Sequence, residues 1–395
     1  MTSPSPSSGI PTAHGTAYAA TRAQIEQCPA WRQSFAASRK DWRYYQIVED
    51  TIRQGFDYRY FVLEDMAGSV RAIQPFFLLD QDLLQGAGPR ARKFAARIRR
   101  LFPKALTIRT LMVGCAAGEG HLDRKSDEQA DWIAACLHET LIKYARRIKA
   151  RMVVLKEFPS AYRKPLACFA SNGYTRVPSL PFTRLSIDYK NFDDYMTRAL
   201  SKATRKDLRR KFRDAAESDP IELQVVEDVT PFIAEVYPLY LNVYQKSPLQ
   251  FEKLTEDFLC RLGQEMPDRA RFFIWRQKGR AVAFSVCLLQ GDAIYDEYLG
   301  LDYSVALDLH LYFYTLRDIV EWAIRNGCKW YCSSALNYDP KRRLKCELMP
   351  LDLYVAHIWP PANVVLRRLL PLLEPTRNDK TLREFPNFGD IWGNA

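Results

Sequence analysis

The chain has 395 residues, more than the roughly 100–200 of one domain, so a single small module is excluded and two domains with tails are expected. With 47% apolar and 26% charged residues it has the composition of a globular protein, neither disordered throughout nor fibrous. Its formal charge of +11 resides in two windows, 90–104 and 198–213, which carry +7 each and leave the rest of the chain at −3; a surface that coats polyanions generally is thereby excluded.

Residues 1–20, rich in Ser, Pro, Thr, Gly and Ala, read as a flexible N-terminal tail without the apolar core of a secretory signal. Residues 60–78 (YFVLEDMAGSVRAIQPFFL) read as two strands about a turn at Ala67 and Gly68. A basic insertion follows near 88–105, in which Phe94, Ile98, Leu101 and Phe102 recur at helical spacing, as in an amphipathic helix. Next come a strand at 106–113 and a helix over 128–149 whose apolar face is Trp132, Ile133, Cys136, Leu137 and Leu141. A strand at 152–155 completes the first half.

The order then recurs. A helix opening near Phe192 carries the second basic window and turns Tyr195, Ala199, Leu208 and Phe212 toward a core. Residues 271–289 (RFFIWRQKGRAVAFSVCLL) read as a second hairpin about Lys278 and Gly279. Placing Gly68 on Gly279 also places Phe61 on Phe272, Leu63 on Ile274 and Ala72 on Ala283. A strand at 293–299, a helix over 305–325 and a strand at 329–332 follow. Hairpin, strand, helix, strand thus occurs twice, which predicts an α/β fold of two tandem domains, 21–190 and 191–360, with a C-terminal extension at 361–395. In that extension 364–373 (VVLRRLLPLL), flanked by Arg367, Arg368 and Arg377, is fit to lie on the protein or on a membrane surface.

Nine scattered cysteines without a CxxC pair read as reduced cytosolic thiols. The five histidines form no ligand pair at i, i+3 or i+4, so no metal site is expected. No stretch approaches the roughly 18 apolar residues of a membrane span. The expected location is cytoplasmic, with peripheral contact at the inner membrane face.

The run SKATRKDLRRKFRDA (201–215), then YDEYLGLDYSVALDLHLYFYTLRDIVEWAIRNGCKWYCSS (295–334) and NYDPKRRLKCELMPLDLYVAH (337–357), resembles the acyl-CoA N-acyltransferase (GNAT) superfamily. Within it the chain is most similar to tandem, Fem-like proteins, a group that includes peptidoglycan-bridge aminoacyl transferases and resembles bacterial ceramide synthases. The likeness is good over 192–357 and faint over 60–189. It implies two GNAT-like domains, each a mixed, largely antiparallel sheet flanked by helices. A bulged, splayed strand would hold a thioester there, and the following helix N-terminus would hold a pyrophosphate. The family's pyrophosphate loop, Gln/Arg-x-x-Gly-x-Gly/Ala, is not matched after Gly300, where Asp302 would repel phosphate. The better spacing is in the first half, where Gly118 and Gly120 stand as phosphate-binding candidates beside a repelling Glu119; the plain alternative is a turn.

For proton transfer, period two on strand 293–299 places Tyr295 and Glu297 on one face and Asp296 and Tyr298 on the other. Either Glu297 or Asp296 is a candidate base, against the plain alternative of solvated edge charges. His310, on the long helix, is a third candidate, against a satisfied core histidine. Lys341 resembles a lysine that related proteins carry in this loop, fit to stabilise an oxyanion or hold an anionic group, against a solvated turn. Tyr338 is a candidate acid for the departing thiolate. Arg205 and Arg209 are candidates for phosphate contact.

The leading functional reading is an N-acyltransferase moving an acyl group from acyl-CoA, or an acyl carrier thioester, to an amine, with no permanently bound cofactor. Amphipathicity and resemblance together point to a long-chain lipid amine such as a sphingoid base as acceptor. The basic helices 90–104 and 198–213 would then contact an anionic membrane. The second reading is a Fem-like aminoacyl-tRNA-dependent transferase acting on a peptidoglycan precursor. The third is a non-catalytic duplicate that binds lipid or nucleic acid.

Overall fold

A computed structural model describes residues 9–82, 107–217, 219–247 and 250–393. The basic insertion expected near 88–105, with its helix at 90–104, lies outside the described residues. In chain order the elements of the first half are β1 (Ile10–Thr12), β2 (Gly15–Ala20), α1 (Arg22–Ile25), α2 (Trp42–Thr51), β3 (Asp57–Glu64), β4 (Val70–Asp82), β5 (Thr107–Val113), α3 (Asp127–Arg147), β6 (Met152–Pro159), α4 (Ala167–Ser171) and β7 (Thr175–Pro178). There follow β8 (Phe182–Ser186), α5 (Phe192–Ala199), α6 (Lys202–Glu217), β9 (Ile221–Val226), α7 (Ile233–Lys246), α8 (Glu256–Glu265), β10 (Ala270–Gln277), β11 (Arg280–Gln290), β12 (Ala293–Leu301), α9 (Leu311–Arg325), β13 (Trp330–Ser333), α10 (Tyr338–Arg343), β14 (Glu347–Met349), β15 (Leu351–His357) and α11 (Pro360–Leu373).

Both predicted hairpins are present, as β3–β4 and β10–β11. The second turns on two residues, Lys278 and Gly279, that both have positive φ, the conformation whose twist matches paired strands. Helix α3 starts where Ser126 accepts a bond from the Gln129 amide. Asp127 and Glu128 stand in its first turn and Arg146 and Arg147 in its last, complementing the helix dipole at both ends. The single helix expected from Phe192 is instead two. Leu200 is extended, and the Ser201 hydroxyl accepts from the Thr204 amide, which restarts the helix as α6. The tail expected at 1–20 is likewise corrected over its described part, because β1 and β2 add two antiparallel strands to the edge of β3.

Two sheets result, ordered β1-β2-β3-β4-β5-β6-β15-β7 and β14-β8-β13-β12-β11-β10-β9. Each contains one parallel pair, β5–β6 and β12–β13, among antiparallel neighbours. The expected boundaries near 190 and 360 do not survive this topology. Strand β8, from the first half, lies between β13 and β14 of the second sheet, and β15, from the second half, lies between β6 and β7 of the first. The halves therefore exchange one interior strand each. Strand β15 is fixed electrostatically as well: Arg163 grips Asp352 at 2.6 and 3.2 Å, both side chains being buried. Arg163 and Arg176 also donate to the carbonyls of Asp390, Ile391, Trp392 and Gly393, tying the C-terminal segment to the same edge.

One face of the first sheet packs on α3 and α4, and one face of the second packs on α5, α6 and α9. The remaining faces share a single core with α2, α7 and α8, in which Tyr44 of α2 meets Phe258 of α8 edge to face at 5.8 Å. The two halves thus form one packed unit, and ligand sites favour such a seam.

Candidate active site

Strand β12 carries a bulge and a splayed end, as the resemblance leads one to expect of a strand in this position. Val286 opposes Tyr298 while Cys287 opposes Asp296, so Glu297 is the extra residue of a β-bulge. Parallel pairing with β13 ends at Asp296 and Ser333, and β12 continues to Leu301 paired on its other edge with β11, leaving a wedge between β12 and β13. The pairing of β5 with β4 in the first half has no such register shift.

Asp296 stands where the strands part. It accepts hydrogen bonds from Ser285 and from the Tyr331 hydroxyl at 2.9 Å, and burial pushes its carboxyl above the usual range while Lys341 offsets part of that rise. Lys341 is neither in a loop nor in a solvated turn. It lies in α10, 2% exposed, and donates to the Ser334 carbonyl. Burial pulls its ammonium down from the usual 10.5 to about 8, against the opposing pull of Cys346 and Asp296. Between about pH 8 and 10.5 the unfolded chain holds this proton and the folded protein does not, so stability rises with pH across that window. The Lys341 contribution to that rise is about 3 kcal/mol, and it should vanish from the pH dependence of denaturant midpoints in Lys341→Met.

Glu297 is not a free base. Both its oxygens are held by buried cations: Arg39 Nε donates to one at 2.6 Å and Lys40 Nζ to the other at 3.2 Å. The same two cations hold Glu119 of the first half, Lys40 at 2.7 Å and Arg39 at closer range. Burial alone would raise the Glu119 carboxyl, but Arg39 and Lys40 outweigh it and keep it well below the usual range. The Arg39 guanidinium also lies 3.6 Å from the ring centre of Tyr295. Two carboxylates from different halves thus share two cations from the loop before α2, with all four charges withdrawn from water.

This cluster decides the fate of the glycine loop. Gly118 has φ +101, and a Cβ there would lie 2.0 Å from Lys40 Nζ; a Cβ on Gly120 would lie 2.5 Å from the Lys156 carbonyl. Gly118 is thus needed for close packing against Lys40 of the cluster, and Gly120 for close packing against the Lys156 carbonyl and the Phe158 ring. In the corresponding turn after β12 the backbone amides are engaged internally. The amide of Ser304 donates to the Asp302 carboxylate, the amides of Val305 and Ala306 to the Asp302 carbonyl, and Arg280 holds the other carboxylate oxygen at 2.7 Å. His310 lies at the start of α9 rather than within a helix, with φ +50, its carbonyl accepting from the Phe313 and Tyr314 amides. Tyr338 is buried and donates to the Pro181 carbonyl at 2.9 Å, so its proton is engaged away from any thiolate. Arg205 caps the end of α5 through the Thr197 and Leu200 carbonyls, and Arg209 is exposed, 3.5 Å from Asp193.

A cavity of about 770 Å³ opens between the halves beside this cluster, with Tyr295 of β12 in its wall. His121 faces it. Its Nε2 lies 2.9 Å from Glu119 and its Nδ1 3.4 Å from the Tyr162 hydroxyl, so in a neutral ring a proton directed at the carboxylate leaves Nδ1 as the acceptor. A carboxylate-oriented imidazole on a cavity wall is an arrangement that can take a proton from an amine. Four arginines also line the cavity, and each faces an acid: Arg39 the two glutamates, Arg124 Asp127, Arg163 Asp352, and Arg184 Glu347 at 3.3 Å. The lining mixes apolar and charged side chains and is close to charge balance. Sequence reasoning missed Arg39 and Lys40, because their partners lie 79 or more residues away, and His121, because it stands beside a loop read as a phosphate motif. The visible signal was Glu119-Gly120-His121 six residues after the end of a strand. Among the described residues no group of three or more His, Cys, Asp or Glu could hold a metal ion, and no helix is long and apolar enough to cross a membrane.

Residues 202–342 match the family of acetyltransferase (GNAT) domains. No curated protein sequence matches the chain. Among solved structures the chain is similar to FemX at 9% identity, covering 82% of this chain and 93% of that one with a TM-score of 0.51, a likeness of fold alone. Similar coverage, 82% and 95%, is found for L-PGS from Bacillus licheniformis at 14% identity and a TM-score of 0.47. A putative lysylphosphatidylglycerol synthetase C-terminal domain from Agrobacterium fabrum matches over 85% and 92% at 11% identity, also with a TM-score of 0.47.

Proposed function

We propose, from the premise that residues 202–342 form a GNAT acyltransferase domain within a FemX-like tandem fold, that the protein moves an acyl group from a thioester to an amine at the cavity between its halves. The observation that carries this reading is the bulged β12, parting from β13 at Asp296 and presenting Tyr295 to a cavity that also holds the Glu119–His121 pair. The thioester carbonyl would lie along the unpaired edge of β12, and the acceptor amine would enter from the cavity and lose its proton to His121. Attack by the amine forms the C–N bond and breaks the C–S bond, releasing the carrier thiol. Asp296 and Lys341 hold the parting point of the strands and act as positioning residues.

Acyl-CoA and an acyl carrier thioester both remain donors for this chemistry. The closed turn at Asp302 and the packed loop at Gly118 argue that a CoA pyrophosphate, if bound, is held by other groups. For the acceptor, the near-balanced charge of the cavity favours an amine without a polyanionic group, such as a long-chain lipid amine of the sphingoid type, over a nucleotide-linked peptidoglycan precursor. The basic window at 198–213 gives the tRNA reading little added support, since Arg198 pairs with Asp188 and Asp194, and Lys211 and Arg210 pair with Asp207.

Purified protein incubated with long-chain acyl-CoA or acyl carrier protein and a panel of lipid amines should release free thiol in step with amide formation. Absence of thiol release at every acyl chain length, with either carrier, would remove the thioester reading. Aminoacyl transfer from charged tRNA in the same panel would install the second reading instead.

A further inference from the structure

Helix α11 is unlike the other helices of the fold in what it leaves uncovered. Its inner residues Leu366 and Leu370 pack on the core shared by the two halves. Its outer residues Val364, Val365, Leu369, Leu372 and Leu373, with Trp359 just before its start, are between 46% and 72% exposed. At 100° per residue, Val365, Leu369 and Leu372 fall on one stripe, with Leu373 beside it and Val364, Arg368 and Arg367 along one flank. The helix cannot roll to hide this stripe. Asn363 pins it, accepting from the His357 amide at 2.9 Å and donating to the Gly173 carbonyl at 2.8 Å, while the Trp359 amide donates to His357 Nδ1 at 3.0 Å.

The charges around the stripe have one sign. Helix α11 contains no acid, and Arg367, Arg368 and Arg377 are exposed. The acid that follows the helix, Glu374, is buried, with its oxygens turned to the Thr376 and Arg377 amides and one of them 3.8 Å from the Arg377 guanidinium, so that Arg367 and Arg368 carry most of the charge. A second copy of the chain docking on this face would bring two sets of arginines together. The segment 90–104, at +7, would do the same. An anionic phospholipid surface opposes that charge, accepts the aliphatic stripe below its headgroups and suits a tryptophan at the boundary.

We propose that the outward face of α11 is the membrane-docking surface of this protein, binding anionic bilayers in the interfacial plane. This places the contact on the C-terminal helix rather than on the basic window at 198–213. It does not depend on the identity of the acyl donor. The same stretch of chain that carries α11 continues into the segment whose Asn387, Asp390 and Gly393 wall the cavity.

The test uses the full chain and vesicles of phosphatidylcholine with and without phosphatidylglycerol, read by flotation and by fluorescence of Trp359 against a Trp359→Phe control. Binding is expected on the anionic vesicles and to weaken with salt. Leu369→Glu with Leu372→Glu should lower it more than about tenfold, and Arg367→Gln with Arg368→Gln by about thirtyfold. Because all four side chains are exposed, circular dichroism of the variants should match the parent. Unchanged vesicle binding in the leucine variant overturns the proposal in favour of another surface. Failure of the parent to bind, together with a dimer in sedimentation that the leucine variant dissociates, overturns it in favour of self-association.

Discussion

A chain that ends at residue 350 is expected to lose the fold of its first half as well as its C-terminal segment, although every contiguous element of residues 9–178 is intact. The reason is the exchanged strand. Without β15 the first sheet is cut between β6 and β7, and the core loses Leu351, Tyr354, Val355 and Ala356, all buried. Burial of those side chains is worth roughly 6–10 kcal/mol, against the roughly 5–15 kcal/mol that separates a folded domain from its unfolded state. Arg163 is left in addition as a buried cation without Asp352, a loss of about 3–5 kcal/mol when one member of such a pair is removed. The measurement is protease resistance of the 9–178 region with denaturant unfolding followed by circular dichroism. A cooperative transition and a protected 9–178 fragment in the shortened chain would show that β15 is dispensable. In the full-length chain, Asp352→Ala isolates the electrostatic part and should shift the midpoint by the smaller of these amounts.

The second large effect is catalytic. His121→Ala should lower turnover in thiol release by about 10²–10⁴, the range that a positioned general base contributes, while the thioester KM changes little because the proposed donor site lies along β12. His121→Gln should be as slow, since an amide keeps the hydrogen bond to Glu119 but offers no basic nitrogen. Turnover equal to that of the parent in both variants would assign the proton to another group, with Asp296 next to be tested. Glu119 is unsuitable for this test, because its carboxylate also holds Arg39 and Lys40, and Glu119→Gln would disturb the join between the halves along with His121.

The repeat was legible in the sequence because its cause is local. Two hairpins with a glycine at each turn, two helices with apolar residues at helical spacing and two strands rich in Val, Leu and Tyr show their periods within 20 residues, and the observed elements fall within a few residues of those limits. The helix predicted from 305 is the main exception in length. Asp302 captures the amides of 304–306 in a turn, and His310 takes a left-handed conformation, so α9 begins only at Leu311. The site was less legible. Asp296, Glu297 and Lys341 were visible as polar residues at the right element ends, but their burial and partners were not. Glu297 looked like a base and is held by cations contributed by Arg39 and Lys40, more than 250 residues earlier in the chain.

Sequence alone determined the tandem α/β order, the second half's likeness to acyltransferase domains and the position of the apolar, arginine-flanked C-terminal element, because each is written in residue types close together along the chain. The tertiary structure alone decided that β8 and β15 change sheets, that Gly118 packs against Lys40 of a buried charge cluster, and that Arg39 and Lys40 join Glu119 to Glu297 beside the cavity between the halves. The physical reason is that strand exchange and charge pairing are contacts between distant segments. A local pattern of residues specifies which elements form, whereas the burial and pairing of polar groups depend on what the rest of the chain packs against them.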